Sequence, residues 1–151
     1  MGQQQLLLLV LSTVIVGLAT VAGIQAFSEN QAQASQDALV QRGTSIASDI
    51  QGLAGKPSQM GGVDLSSDGG ATASDIVNRL GYETVDGEDS IVPAEGAGSS
   101  GKCDLNEPDS GSINIECTSS DAPQTVTVTF DQSPGADGEA ISTSFASGSG
   151  S

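Results

Sequence analysis

The chain has 151 residues, with 19 acidic and 4 basic side chains, no histidine and no tryptophan, and a formal charge of −15. Without histidine there is no imidazole general base, no Ser-His triad and no His-ligated metal. Four scattered bases, Arg42, Lys56, Arg79 and Lys102, do not make the clustered positive surface that nucleic acid requires. Three Phe and one Tyr leave room for one small domain with a thin, aliphatic core.

Every acid lies at or after Glu29, so the chain opens on a long stretch without formal side-chain charge. Within it, Leu6 to Phe27 is apolar enough to be read as a helix of about 33 Å, sufficient to cross a hydrocarbon layer of about 30 Å. A cleaved secretory signal is the rival reading, but no basic segment precedes the apolar run and a helical pattern follows it directly. Thr13 and Gly17, and again Ala19 and Gly23, stand four apart, a spacing of small residues that lets a second helix approach closely.

Beyond Phe27 the pattern changes while the helix is expected to continue. Ala32, Leu39, Ile46 and Leu53 recur seven apart, with Gly43 and Ile50 between them, giving one narrow apolar stripe on a polar helix. Gly55 and Lys56-Pro57 form its stop signal. Gln3 to Ala54 therefore predicts one helix of about 50 residues, hydrophobic all round over 3–27 and amphipathic over 28–54.

Residues 55–151 predict a small, acidic, strand-rich domain. After the loop "KPSQMGGVDLSSDGGAT", a short helix is expected with Thr72 or Ser74 as cap, Ile76, Val77 and Leu80 as its apolar face, and Gly81 as its end. Acidic, Gly-rich linkers then run to about Gly101. Three strands are expected, at Ser112–Cys117, Thr125–Phe130 and Ala140–Ala146, joined as an antiparallel meander, with "SGSGS" disordered or a short solvated tail. The predicted fold is thus α+β: a long N-terminal helix with a small antiparallel sheet packed on its C-terminal half.

Cys103 and Cys117 close one short loop. In a chain that leaves the cytosol they are most simply a disulfide tying the first strand to the loop before it, worth about 3 kcal/mol in the entropic account. Two unpaired thiols are the alternative, and a zinc site lacks ligands. Asp104, Asn106, Glu107 and Asp109 lie in that loop and raise the question of calcium, although they do not follow the twelve-residue EF-hand spacing. Carboxylates and serines are numerous, yet no spacing singles out an acid, a base or an activated nucleophile. No catalytic residue and no cofactor are expected. Two readings of the acidity remain open, a hydrated exterior suited to high salt and a cation-binding surface.

A continuous helix, half membrane-like and half amphipathic, followed by a strand-rich domain with one disulfide, resembles a type IV pilin. The opening "MGQQQLLLLVL" is also similar to a short-leader group of pilin-like bacterial proteins. That resemblance implies a prepilin peptidase acting after Gly2 to expose Gln3, and storage in the inner membrane as a monomer. It also implies assembly by pilus machinery into an extracellular helical filament of identical copies, for adhesion or motility. Leu6, Leu9, Thr13, Gly17, Ala19, Gly23 and Phe27 would form the filament core; Ala32, Leu39, Ile46, Ile50 and Leu53 would dock the head. The sequence departs from the usual pattern in lacking a basic leader, an aromatic first mature residue and the glutamate at mature position five, where Leu7 stands. The other function class is a membrane-anchored domain that binds a partner or cations and never polymerises.

Overall fold

A computed structural model describes residues 2–66, 70–85, 87–136 and 138–147. Its first element, α1, is one uninterrupted helix, Gly2–Ala54. No proline precedes Pro57, and the ladder closes where the sequence places its stop: Gly55 N–H bonds Gln51 O, and Lys56 N–H bonds Leu53 O. A single 3-10 turn, Ser58–Met60, follows within the expected loop. Helix α2, Ala73–Leu80, begins in a capping box in which Thr72 Oγ1 accepts from Asp75 N–H and Asp75 Oδ2 accepts from Thr72 N–H. It ends on Gly81, whose φ of 73° lies in the left-handed region.

The remaining strands are β1 (Ile91–Pro93), β2 (Lys102–Leu105), β3 (Ser112–Thr118), β4 (Gln124–Asp131) and β5 (Ile141–Ser147), in an all-antiparallel sheet whose spatial order is the chain order. The meander is as expected, but it has five strands rather than three. The segment expected to be linker up to Gly101 contains β1, and β2 follows at once. Both are too short to show alternation in sequence, and they become strands by pairing with β3 and with each other. The disulfide pairing of Cys103 with Cys117 holds, but it does not join a strand to a loop. The two cysteines are cross-strand partners in the β2–β3 register, so the bond staples adjacent strands.

The chain divides into two compact units, Met1–Ala32 and Gln33–Ser151. In the second, the core forms between the stripe of α1 and one face of the sheet. Leu39, Ile46, Ala47, Ile50 and Leu53 are buried with Val92, Cys103, Leu105, Ile113, Ile115, Cys117, Val126, Val128 and Phe130, and Ile76 and Val77 of α2 join them. Ser35 and Ala47 are buried although they lie off the seven-residue repeat, because a helix buries a stripe wider than its most apolar edge.

Gly43 is the closest point of this packing. A Cβ placed there would lie 2.7 Å from Val128 Cγ2 and 3.2 Å from Cys117 Sγ, so α1 rests on β3 and β4 where a side chain has no room. Val128 is β-branched and fixed in the core, and has little freedom to move aside. Gly43→Ala is therefore expected to destabilise the fold by about 1–2 kcal/mol despite the better helix propensity of Ala. In chemical unfolding of the detergent-solubilised chain, Gly43→Ala with Val128→Ala should cost less than the sum of the two single changes.

Candidate functional site

The candidate site is a surface, the part of α1 that lies in the first unit. Its thirteen large apolar side chains, from Leu6 to Phe27, are each 53–72% exposed. Long, apolar and without charge before Glu29, this helix meets the length and composition needed to cross a membrane. Leu6, Leu9, Thr13, Gly17, Ala19, Gly23 and Phe27 are all exposed and share one side of the helix, within an arc of about 160° at 3.6 residues per turn. A water-facing surface of this kind is far larger than soluble monomers tolerate.

The hydroxyls in this segment are dealt with inside the helix. Ser12 Oγ donates to Leu9 O at 2.9 Å, Thr13 Oγ1 to Val10 O at 2.8 Å and Thr20 Oγ1 to Val16 O at 2.7 Å. Each of these three hydroxyls thus reaches a carbonyl three or four residues back, so it can enter a dry environment without an unpaired donor. Thr13 is thus more than a small residue on the helix surface, and the i−3 and i−4 spacing of a hydroxyl to a carbonyl is its signal in the sequence. Gly17 and Gly23 are helical, and a Cβ on either would meet nothing within 4 Å. Packing within the chain therefore does not require glycine at these positions, although each costs the helix about 1 kcal/mol relative to alanine.

The residues expected to dock the second unit divide. Leu39, Ile46, Ile50 and Leu53 are buried in its core, whereas Ala32 is only partly buried and falls in the first unit. Polar groups also fix α1 in the second unit, and the apolar repeat gave no sign of them. Arg42 Nε donates to Pro93 O at 3.1 Å, and its guanidinium carbon stands 4.8 Å from the centre of the Tyr82 ring. The Tyr82 hydroxyl donates to Asp49 Oδ2, and Gln36 Oε1 accepts from Gln124 N–H at 3.2 Å.

The acidic side chains of the Cys103–Cys117 loop bond to separate partners. Asp104 points to the outer sheet face and accepts from Ser90 Oγ at 3.1 Å; Glu107 Oε2 accepts from Ala73 N–H at the start of α2; Asp109 Oδ1 accepts from Ser110 Oγ. Asn106 N–H donates to Asn114 O. Among the described residues no three Asp, Glu, Cys or His side chains stand together to hold a metal. Asp104 is instead the direct cross-strand neighbour of Glu116, a like-charge pair that is less unfavourable when salt screens it.

The architecture, a long apolar N-terminal helix followed by an antiparallel sheet, is type IV pilin-like. No protein-family model, no curated protein and no solved structure matches the chain.

Tyr82 gives the α1 anchor a pH signature. Burial, then the hydrogen bond and charge of Asp49, push its pKa up from 10.0 to about 12, against a smaller opposing effect of Arg42. The folded state thus prefers the neutral phenol. The stability this contributes is fully present below pH 10 and is lost as pH rises through about 12. As the chain has one tyrosine and no tryptophan, absorbance at 295 nm follows this group alone. Its midpoint is expected near 12 in the folded protein and near 10 in denaturant, and Tyr82→Phe should flatten the alkaline loss of stability between those values.

Proposed function

We propose that this chain is the structural subunit of an extracellular type IV-like pilus, polymerising through its N-terminal helix and presenting the acidic unit as its surface. The observation that carries the reading is the all-round exposure of thirteen large apolar side chains on a helix segment without charge. Such a surface needs an apolar environment, and a membrane before assembly and a bundle of identical helices after it both supply one. Neither offers water to backbone groups, and a continuous helix with self-satisfied Ser12, Thr13 and Thr20 suits both. Gly17 and Gly23, which nothing in the chain's own packing explains, leave room for a neighbouring helix. Repetition of one head-to-tail contact gives an open helical polymer.

The pilus machinery, a prepilin peptidase and, for the monomer, the inner membrane are the partners this reading entails. Adhesion or motility is the role it supports, with no catalysis. Uncharged amides at Gln3, Gln4 and Gln5 stand where the reading places the new amino terminus. There they can hydrogen-bond between copies in place of the missing glutamate.

The test is electron microscopy of sheared surface material, with intact-mass analysis of the same fraction. Thin filaments containing this chain, processed to begin at Gln3, are expected. Full-length chain confined to membranes would overturn the reading in favour of a non-polymerising anchored domain. A charge placed in the middle of the span gives the second arm: Val14→Asp costs about 2.5–3.5 kcal/mol at a membrane centre and a comparable penalty in a dry polymer core. Filaments should disappear while the Cys103–Cys117 bond, whose cysteines lie in the other unit, still forms.

A further inference from the structure

The two edges of the sheet are treated differently. At β1, only three residues long and ending in Pro93, the backbone is engaged from outside the sheet. Ile91 O accepts from Val85 N–H at 3.0 Å, Ile91 N–H donates to Glu88 O at 3.4 Å, and Pro93 O accepts from Arg42 Nε. At β5 the edge is seven residues long, Ile-Ser-Thr-Ser-Phe-Ala-Ser, with no charge, proline or glycine. Among the described residues no backbone hydrogen bond outside the β4 ladder involves Ile141–Ser147. Natural proteins usually blunt a free edge with a charge, a proline or a bulge, and an acid-rich chain has charge to spare for that purpose. β5 carries none of these devices.

Side-chain burial marks the same strand. Phe145 lies beside Val126 in the register, on the face that forms the core, yet Val126 is fully buried and Phe145 is 55% exposed. Thr143, beside the buried Val128, is likewise exposed. The core-forming face of the sheet therefore continues onto β5, where Ile141 packs against the core while the described residues leave Thr143 and Phe145 exposed.

We propose that the free edge of β5 pairs antiparallel with the β5 edge of a second copy of this chain, about a two-fold axis at Ser144. Three observations select that occupant. Since β1 is engaged, β5 is the edge the described residues leave open, so two copies can join their sheets only by offering the same strand to each other. The strand is also self-complementary. With Ser144 opposite itself, Thr143 faces Phe145 and Ile141 faces Ser147 on the core side, and Ser142 faces Ala146 on the other. The two Phe145 rings become diagonal neighbours, a separation that aromatic side chains span.

Charge is the third observation. Two chains of −15 repel wherever acids meet, and the outer sheet face presents Asp104 beside Glu116. Ile141–Ser147 is a strip along which backbone can meet backbone without opposing two carboxylates. The competing contact is an ion pair to the cleft where Lys56 and Arg79 stand beside Asp49. The two contacts differ in the sign of their salt dependence, since screening weakens an ion pair and relieves repulsion between like chains. The β5 contact closes after two copies and cannot propagate, so it is separate from the polymer contact of the N-terminal helix and would join heads of neighbouring filaments.

The experiment uses the full-length chain in detergent, carrying Ser144→Cys and oxidised with copper phenanthroline. A disulfide-linked dimer is expected, rising severalfold as sodium chloride goes from about 0.05 M to about 2 M, where the Debye length falls below about 3 Å. Ser99→Cys, at an exposed turn, should give only collisional background. Adding Thr143→Glu and Phe145→Glu to Ser144→Cys should lower the dimer about tenfold, with the native Cys103–Cys117 bond and the far-UV spectrum retained. Equal cross-linking at Ser99→Cys and Ser144→Cys, or no Ser144→Cys dimer at any salt, would overturn the proposal. A dimer that weakens with salt would also overturn it, in favour of the Lys56–Arg79 contact. Val14→Asp separates this outcome from the filament reading: it should abolish filaments and leave Ser144→Cys cross-linking intact.

Discussion

The contact at Gly43 is the point on which the rest of the C-terminal unit depends. A helix can lie this close to a sheet only where one residue lacks a side chain, and Val128 Cγ2 and Cys117 Sγ fill the space a Cβ would take. The disulfide is thus part of the floor on which α1 rests as well as a staple between β2 and β3. With only three phenylalanines and one tyrosine in the chain, the core is built from close contacts among Ile, Val and Leu. Such packing is sensitive to small changes in volume. Arg42, Tyr82, Asp49 and Gln36 add directional bonds at the margins of that contact, so helix and sheet are fixed in register as well as held together.

Periodicity made some of this legible and left the rest hidden. The helix could be followed to Ala54 because nothing interrupts it before Gly55 and Pro57, and the repeat through Leu39, Ile46 and Leu53 pointed to the buried side. β3 and β4 alternate over seven and eight residues with strong apolar faces, and they were visible for that reason. The three residues of β1 and the four of β2 carry too little pattern to distinguish them from acidic loop. Their strand character comes from pairing with β3 and with each other, a non-local property. The disulfide illustrates the same limit: spacing raised the pairing of Cys103 with Cys117 but could not place both on strands. In the acidic loop, local composition raised a cation site, while tertiary structure sends Asp104, Glu107 and Asp109 to separate partners.

The candidate site was legible in a different way. A charge-free segment is visible in any reading of the sequence, and so is its need for a dry environment. What the sequence did not show is how completely the segment is prepared for one. Ser12, Thr13 and Thr20 bond back to their own helix, while among the described residues no atom lies within 4 Å of the positions a Cβ would take at Gly17 and Gly23. Back-bonded hydroxyls also occur at Thr44 and Ser48, where α1 packs in the C-terminal unit, so the open positions at Gly17 and Gly23 are the feature that sets the first segment apart. A lipid layer calls for the satisfied hydroxyls, and a packed helical partner makes use of the missing side chains. On the proposed pilus reading the helix would meet the two environments in turn and use both.

Charge distribution joins these surfaces into one argument. At −15 a chain is kept apart from its copies over most of its surface, and the repulsion reaches about 10 Å at 0.1 M salt but only about 3 Å at 1 M. Contacts between copies must therefore form where charge is absent, or in salt strong enough to hide it. The helix segment through Phe27 and the edge Ile141–Ser147 are two charge-free regions of this kind, and their geometries differ. The helix offers an apolar surface on every side, which can take several neighbours and so can support an open polymer. The edge offers a single row of backbone groups, which one partner saturates. A molecule with both can build a filament through one region and limit lateral association to pairs through the other. On the two proposals above, the acids elsewhere, including the Asp104–Glu116 pair, would oppose contacts outside those surfaces.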